Sequence, residues 1–534
     1  MFNLLNSAWL PVLRLRSGKC AIRPSQLAES LGDDPVIAID WPRPDFRVAT
    51  LEFLIGLLAT AAPPHDHDDW LDRWFEPPDS AALEAAFAPI VHAFNLDGDG
   101  PRFLQDHEDL VSDAEPIARL LIETPGASTE RNNTDLLVHR GQVGSIGRAA
   151  AAMTLFTFQS WAPAGGAGNR TGLRGGGPLT TMVMPGSTPT LWQCLWANVP
   201  CGDAPPAEAL GLVFPWLTQT VTSEGARIVT PQSAHPLQCW WGMPRRVRLD
   251  FVTSEEPLAC GLTGEPDQVH AVSWRQRPRG ANYAGWGKIH PLSPHYFSKA
   301  GTEWLPLHPQ LGGIGYRHWL GLVLKSPDDL RHPAAAIATW HDGRAFDAEV
   351  ADTRLLAAGY DMDNMKARSF VESEMPLPAA GERAVQDVLD ALATRLVASA
   401  DQVANLLRNA VRSALFSAGA TVKLDSELLS SVRERLWEQT EPAFFDALAR
   451  TAGGISDSGA VVVRWIKLLQ GSAFDLFDEV APMSPESGSA APRIGRARRS
   501  LLFALSGFGK DGRTLFATLE LPEAESKATK RKSA

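Results

Sequence analysis

Residues 162–178, APAGGAGNRTGLRGGGP, place seven glycines and two arginines, Arg170 and Arg174, in seventeen positions. Glycine frees the backbone for φ > 0 and for approach to a ligand without a Cβ in the way, at a cost in folding entropy. Backbone amides and carbonyls beside guanidinium groups suit a nucleic-acid backbone or the edge of a groove, where side chains do not fit. A phosphate-cradling P-loop needs Gly-x4-Gly-Lys-Ser/Thr, but Asn169, Arg170 and Thr171 follow the glycines here, so the lysine is missing. A dinucleotide fingerprint needs a strand before the glycines and a helix after them, and the order here is reversed. A surface connection that binds nothing is the plain alternative.

Three further stretches carry polar or basic groups at suggestive spacing. Residues 125–147, PGASTERNNTDLLVHRGQVGSIG, form a long polar loop with Arg131, His139 and Arg140; a loop of that length in a compact protein is usually functional or disordered. Residues 275–288, RQRPRGANYAGWGK, interleave arginines with Tyr283 and Trp286, a mixture suited to phosphate contact and base stacking, or else a surface hairpin whose aromatic rings cover the core. In residues 358–378 the turn formers of Asp-Met-Asp-Asn-Met put Asn364 and Met365 at a hairpin tip between two strands. An amide and a flexible apolar side chain at a tip resemble the wedges that architectural proteins insert beside a base step, although most such tips are simple turns. The run His65-Asp66-His67-Asp68-Asp69 follows two prolines and reads as a helix entry, with carboxylates at the positive end of the helix dipole, in preference to a metal site.

The elements that must hold these groups follow from periodicity. Gly147–Trp161 is an alanine-rich helix running into the glycine loop, and Leu179–Met184 is a strand leaving it. The polar loop and the glycine loop then sit at opposite ends of one helix, about 20 Å apart. Residues 48–62 form a helix with a broad apolar face, alternation after Trp9 suggests an edge strand, and strands are expected at 245–251 and 270–275 within an irregular region. After Pro376 and Pro378 the composition changes to long amphipathic helices at 380–416, 425–450, 457–480 and 490–508 with short breaks, the pattern of an up-and-down bundle. The fold class is therefore α+β: a large mixed α/β domain over residues 1–378, a four-helix bundle over 379–515, ending at Asp511-Gly512, and a basic tail over 516–534.

At 534 residues with 44% hydrophobic content the chain fills sizeable cores and is not a disordered protein. The net charge of −11 argues against a general nucleic-acid coat, so contact would rest on local clusters such as Arg245–Arg248, Arg275–Arg279, Arg493–Arg499 and the terminal lysines. Five cysteines without a Cys-x-x-Cys pair signal neither a disulfide framework nor a zinc knuckle. With no long apolar run and no leader-like start, a cytoplasmic protein with no membrane partner is expected.

Several stretches together resemble one family. Phe2-Asn3-Leu4-Leu5 with Trp9-Leu10-Pro11-Val12, the loop ending Thr171–Gly176, Asn282–Trp286 with His290–Pro294, and Gly359–Arg368 match, in order and spacing, the CasA family, the large subunits of the type I-E CRISPR surveillance complex, Cascade. The resemblance implies a subunit that recognises the protospacer-adjacent motif in double-stranded DNA, helps open the duplex for R-loop formation, and docks a recruited helicase-nuclease. Its other partners would be the guide CRISPR RNA and the remaining Cascade subunits. By position it places Gly165, Gly166, Ala167, Gly168, Asn169 and Arg170 in the minor groove, where Ala167 interrupts the family's frequent glycine run. It assigns a groove-reaching cation to Arg277 or Arg279, a strand-separating wedge to Asn364 with Met365, and a guide-RNA loop to Arg131, Asn132, Asn133 and Thr134. No catalytic group, cofactor or metal is implied, since Cys260 stands alone where some members have a zinc-binding cluster. The rival expectation is a nucleotide-binding or metal-dependent hydrolase using the glycine loop and the His65–Asp69 run.

Overall fold

The computed structural model describes residues 1–524 apart from 134–140, 167, 299–301, 311, 351, 364, 417–426, 455–456, 484–487 and 489. The chain folds as two compact units, Met1–Gly313 with Gly321–Glu374, and Ile314–Leu320 with Met375–Ala534. Among the described residues no helix is long and apolar enough to cross a membrane.

The first unit opens with β1 (Leu10–Arg14), β2 (Gly18–Ile22) and β3 (Val36–Ile39) in the antiparallel order β2-β1-β3. The strand expected at an edge is thus the central one. Pro11 is tolerated there because the β1–β3 ladder begins only at Val12, and Pro11 contributes a carbonyl, which accepts from Asp40 N–H at 2.8 Å. Helix α1 (Pro44–Ala61) starts with proline in its first turn and is buried over almost every residue, as a helix apolar on all sides must be. At its centre Phe53, fully buried, meets Trp9, Phe94, Phe103, Phe156 and Trp241 edge to face with ring centroids 5.7 to 6.1 Å apart. Helix α2 (Arg148–Trp161) packs on α1. Its first turn is tied by Arg148 to Asp267, at 2.7 Å between Nη2 and carboxylate.

Strand β4 (Thr180–Met184) follows the glycine loop. The long hairpin β5 (Arg246–Ala259) and β6 (Pro266–Arg277) makes the region after residue 185 more regular than its composition suggests. The pair β7 (Arg354–Asp363) and β8 (Lys366–Pro376) completes a sheet of order β8-β7-β4, with Ala358 opposite Thr180.

In the second unit α3 (Arg383–Leu415) packs against α4 (Glu427–Ala452), α5 (Ser458–Val480) and α6 (Ala491–Leu505). The segment Ile314–Leu320 threads into this bundle: Tyr316, fully buried, lies 4.6 Å from the Phe444 ring and shares a 2.6 Å hydrogen bond with Thr440. A further helix, α7 (Gly509–Thr518), runs through Asp511-Gly512, where the sequence predicts the helical region to end, and into the stretch assigned to the tail. Gly512 is there for packing: a Cβ on it would lie 2.6 Å from the carbonyl oxygen of Ala504 on α6.

Candidate nucleic-acid interface

The glycine loop divides into an inner and an outer half. Helix α2 ends at Ala162, held extended (φ −61°, ψ 142°) ahead of Pro163, because the residue before proline is driven out of the α region. In the inner half, Gly177 N–H donates to the carbonyl of Trp161 at 2.9 Å. A Cβ on Gly172 would lie 2.7 Å from the Ser160 carbonyl oxygen, one on Gly176 2.9 Å from Pro163 Cα, and one on Gly177 would strike the Tyr360 carbonyl. These glycines let the chain pack on the end of α2 and on β7, so the freedom that the sequence reading attributed to ligand approach serves close packing at these three positions.

Arg174 is corrected with them. It is buried, ion-paired with Glu52 of α1, and donates to Thr180 Oγ1 at 2.9 Å and Ser293 Oγ at 3.3 Å. The imidazole of His290 lies 3.7 Å from Glu52, and burial, with the Arg174 charge second, holds it neutral, well below the usual histidine range. Arg174 is a structural bolt between the loop and the core helix.

In the outer half (residues 164–170) Ala164, Gly165, Gly166 and Arg170 are exposed, and Gly168 and Asn169 are half-buried. A tight turn closes it: Gly165 N–H donates to Asn169 O at 3.1 Å and Asn169 N–H to Gly166 O at 2.7 Å. Gly166 (φ +64°) has open space where a Cβ would sit, while Gly168 (φ +85°) touches Arg279, whose N–H donates to the Gly168 carbonyl at 2.9 Å. The amides of Gly166 and Gly168 have no partner among the described residues. N–H donors left without a partner suit the minor-groove edge, where every base pair offers acceptors. Ala167 lies outside the described residues.

The two arginine candidates separate. Arg279, itself at φ +64°, is anchored by its backbone to Gly168 and to Ser223, and its side chain is 64% exposed, with one 3.8 Å approach to Glu224. Such an exposed, long ion pair holds the side chain weakly. Arg277 ends β6 and donates to the Val111 carbonyl at 2.8 Å. The structure therefore brings Arg279, and not Arg277, onto the loop.

The other predicted sites fall as follows. Met365 lies between β7 and β8, immediately before Lys366, and is 52% exposed; Asn364 lies outside the described residues. Because β4 leaves the glycine loop and pairs with β7, loop and hairpin tip share one sheet, the tip being seven residues or about 23 Å of strand beyond Ala358. Arg131 ends the short helix Ala127–Arg131, and Asn132 and Asn133 follow it exposed, Asn133 in the left-handed region that asparagine tolerates (φ +50°). Arg119 pins this segment through Glu130 at 2.6 Å. Thr134, His139 and Arg140 lie outside the described residues.

Two nucleic-acid readings are overturned. Trp286 is buried with its Nε1 donating to Val229 O at 3.0 Å, and the Tyr283 hydroxyl accepts from Met243 N–H at 3.0 Å, so these rings cover the core instead of stacking on bases. The cluster Arg245–Arg248 is spent internally: Arg246 pairs with Asp106 at 2.6 Å and Arg248 with Asp109 at 3.0 Å. In the His65–Asp69 run, Asp66 caps the helix His67–Phe75 by accepting from Asp69 N–H at 3.0 Å, as the helix-entry reading requires. No group able to hold a metal is found among the described residues.

Sequence reasoning placed Arg245 in a basic cluster and missed its tie to the glycine loop. Its Nε donates to the Arg170 carbonyl at 2.5 Å and its Nη2 to the Pro163 carbonyl, so one guanidinium ties both stems of the outer loop. Burial without a carboxylate partner lowers its pKa to about 10. The strand period was the available signal: Arg246 and Arg248 share one face of β5, opposite an acidic Asp106–Asp109 segment, which leaves Arg245 to a different task.

A family profile described as CRISPR-associated protein Cse1 matches residues 3–476. Among solved structures, CasA of Thermus thermophilus is 18% identical and superposes with a TM-score of 0.66 over 97% of this chain and 99% of its own. Thermobifida fusca Cse1 is also 18% identical, with a TM-score of 0.67 over 97% of this chain and 98% of its own. A chain of a structure titled "CRISPR RNA-guided surveillance complex" is 16% identical, with a TM-score of 0.63 over 94% of this chain and 99% of its own. At such identities the structures establish the shared α+β fold with its helical C-terminal region. The profile bears out the resemblance drawn from the motifs: the chain belongs to the CRISPR-associated protein Cse1 family.

Proposed function

We propose that this chain is the large subunit of an RNA-guided surveillance complex, that it reads a short motif in the minor groove of target DNA with the backbone of Gly165–Asn169, and that it opens the first base pairs with the Asn364–Met365 tip. The observation that carries the reading is the outer loop itself: a glycine-rich turn whose Gly166 and Gly168 amides have no partner among the described residues, backed by the exposed side chain of Arg279. Base pairing with the guide would read the sequence, while the protein reads only the short duplex signal. Minor-groove readout is degenerate, so several related motifs should be accepted. Arg131, Asn132, Asn133 and Thr134 would meet the guide RNA, with Arg170 and Arg277 available to the DNA backbone. No catalytic group is needed, because cleavage belongs to a recruited helicase-nuclease for which this subunit gives a docking surface.

The test is reconstitution. The chain should co-purify with a small RNA and several other subunits, and the assembly should bind a target duplex carrying the motif at least tenfold more tightly than the same duplex with the motif scrambled. Equal binding of the two duplexes would reject the motif-reading role.

A further inference from the structure

We infer that Arg245 is the positioning residue that holds the glycine loop in its DNA-reading shape; this rests on the reading of that loop given above. A loop with three glycines in the seven residues 164–170 has many accessible conformations and loses more entropy on ordering than other sequences. Fixing it before the ligand arrives moves that cost out of the binding step. The outer loop has few means of doing so. Its exposed residues bury little apolar surface, and its internal turn consists of the two hydrogen bonds between Gly165, Gly166 and Asn169.

Arg245 closes it from below. The planar fork of its guanidinium reaches the carbonyl of Pro163 on one stem and that of Arg170 on the other, a two-pronged geometry that an ammonium cannot copy. The guanidinium sits 5.1 Å from the centre of the Phe158 ring on α2. The backbone of the same residue is locked to α2, since Gln159 Oε1 accepts its N–H at 3.0 Å and Gln159 Nε2 donates to its carbonyl at 3.0 Å. The clamp is therefore fixed to the scaffold before it grips the loop. No carboxylate pairs with it among the described residues, so a buried positive charge also lies at the base of the loop, between its two stems.

The experiment uses the full assembled complex with a motif-bearing and a motif-scrambled duplex. In the parent, the two hydrogen-bonded amides of the peptide spanning residues 163–170, those of Gly165 and Asn169, should be protected from hydrogen exchange without DNA; exchange of both at the unprotected rate would overturn the inference without any variant. Arg245→Met should bind the motif-bearing duplex about tenfold more weakly, bind the scrambled duplex as the parent does, and exchange faster in that peptide alone. Arg245→Lys, which keeps the charge and loses the fork, should remain defective. Recovery of parental affinity by Arg245→Lys would show that charge and not clamping matters, and would overturn the inference. Gly168→Asp separates the two layers of argument. If it loses motif binding while Arg245→Met keeps it, the clamp is wrong and the loop reading stands; if both variants bind as the parent does, the loop reading itself falls and the clamp's role with it.

Discussion

A carboxylate placed at Gly166 tests the groove contact with the least structural disturbance. Gly166 has φ +64° and nothing within 4 Å of the position a Cβ would take, so a side chain there meets no clash. The left-handed backbone costs an L-residue about 1 kcal/mol, and aspartate and asparagine tolerate it best and nearly equally. Gly166→Asp and Gly166→Asn should therefore share whatever strain exists and leave thermal stability alike. They differ by one negative charge. In a narrow groove that charge lies on the order of 7 Å from the nearest phosphates, and at an effective dielectric of 20 each such pair repels by about 2 kcal/mol. Salt screening reduces the contribution of the more distant phosphates, which leaves about 2 kcal/mol, or roughly 30-fold in affinity. Filter binding or a mobility shift with the motif-bearing duplex should show Gly166→Asp weaker than Gly166→Asn by that factor at low salt, with the gap narrowing as salt rises. Equal affinity of the two variants would refute the placement of this turn against DNA, whatever either does relative to the parent.

Gly168→Ala should weaken motif binding more than Gly166→Ala, because its Cβ would lie 3.0 Å from Arg279 N and push that residue off the loop; the reverse order in the same binding assay would argue against Arg279 as the cation beside the groove. Arg279→Ala should lower affinity for all duplexes and reduce the slope of log affinity against log salt by about 1, more than Arg277→Ala does; a changed motif preference at constant slope would contradict a phosphate contact. Replacing Asn364 and Met365 together by alanine should leave motif capture intact and slow R-loop formation on linear DNA, since unstacking a base step costs a few kcal/mol. That defect should shrink on a negatively supercoiled plasmid and vanish on a pre-melted target, and equal rates on intact linear duplex, followed by permanganate footprinting, would exclude a wedge. Arg174→Met strands the buried Glu52 carboxylate and should cost about 3–5 kcal/mol, seen as a lowered thermal midpoint; adding Glu52→Gln should recover much of the loss, and an additive double variant would show that the two groups are not coupled.

Much of the scaffold was legible because its physics is local. The alanine-rich run into Trp161, the broad apolar face over residues 48–62, whose helix in fact starts earlier at Pro44, and the amphipathic helices after Pro378 each carry their signal within a few turns. What stayed hidden depends on partners distant in sequence. Glycine needed for a ligand and glycine needed for close packing look the same in a string of letters, and only the carbonyls of Ser160 and Tyr360 distinguish Gly172 and Gly177 from Gly166. Gly512 misled in the same way, reading as a helix end although it marks the point where one helix lies against the backbone of another. Arginine is equally ambiguous: Arg174, Arg246 and Arg248 find carboxylates at Glu52, Asp106 and Asp109, each far away along the chain. With those charges internally neutralised, the cations left beside the outer loop are the exposed ones at Arg170 and Arg279 and the carbonyl-bound one at Arg245. A chain of net charge −11 can therefore present a small positive site to DNA without being a general binder of polyanions. On the proposed reading, discrimination of motif-bearing from other DNA would follow more readily from such a site than from a broad basic face, because little of its affinity is available to DNA that does not fit the turn.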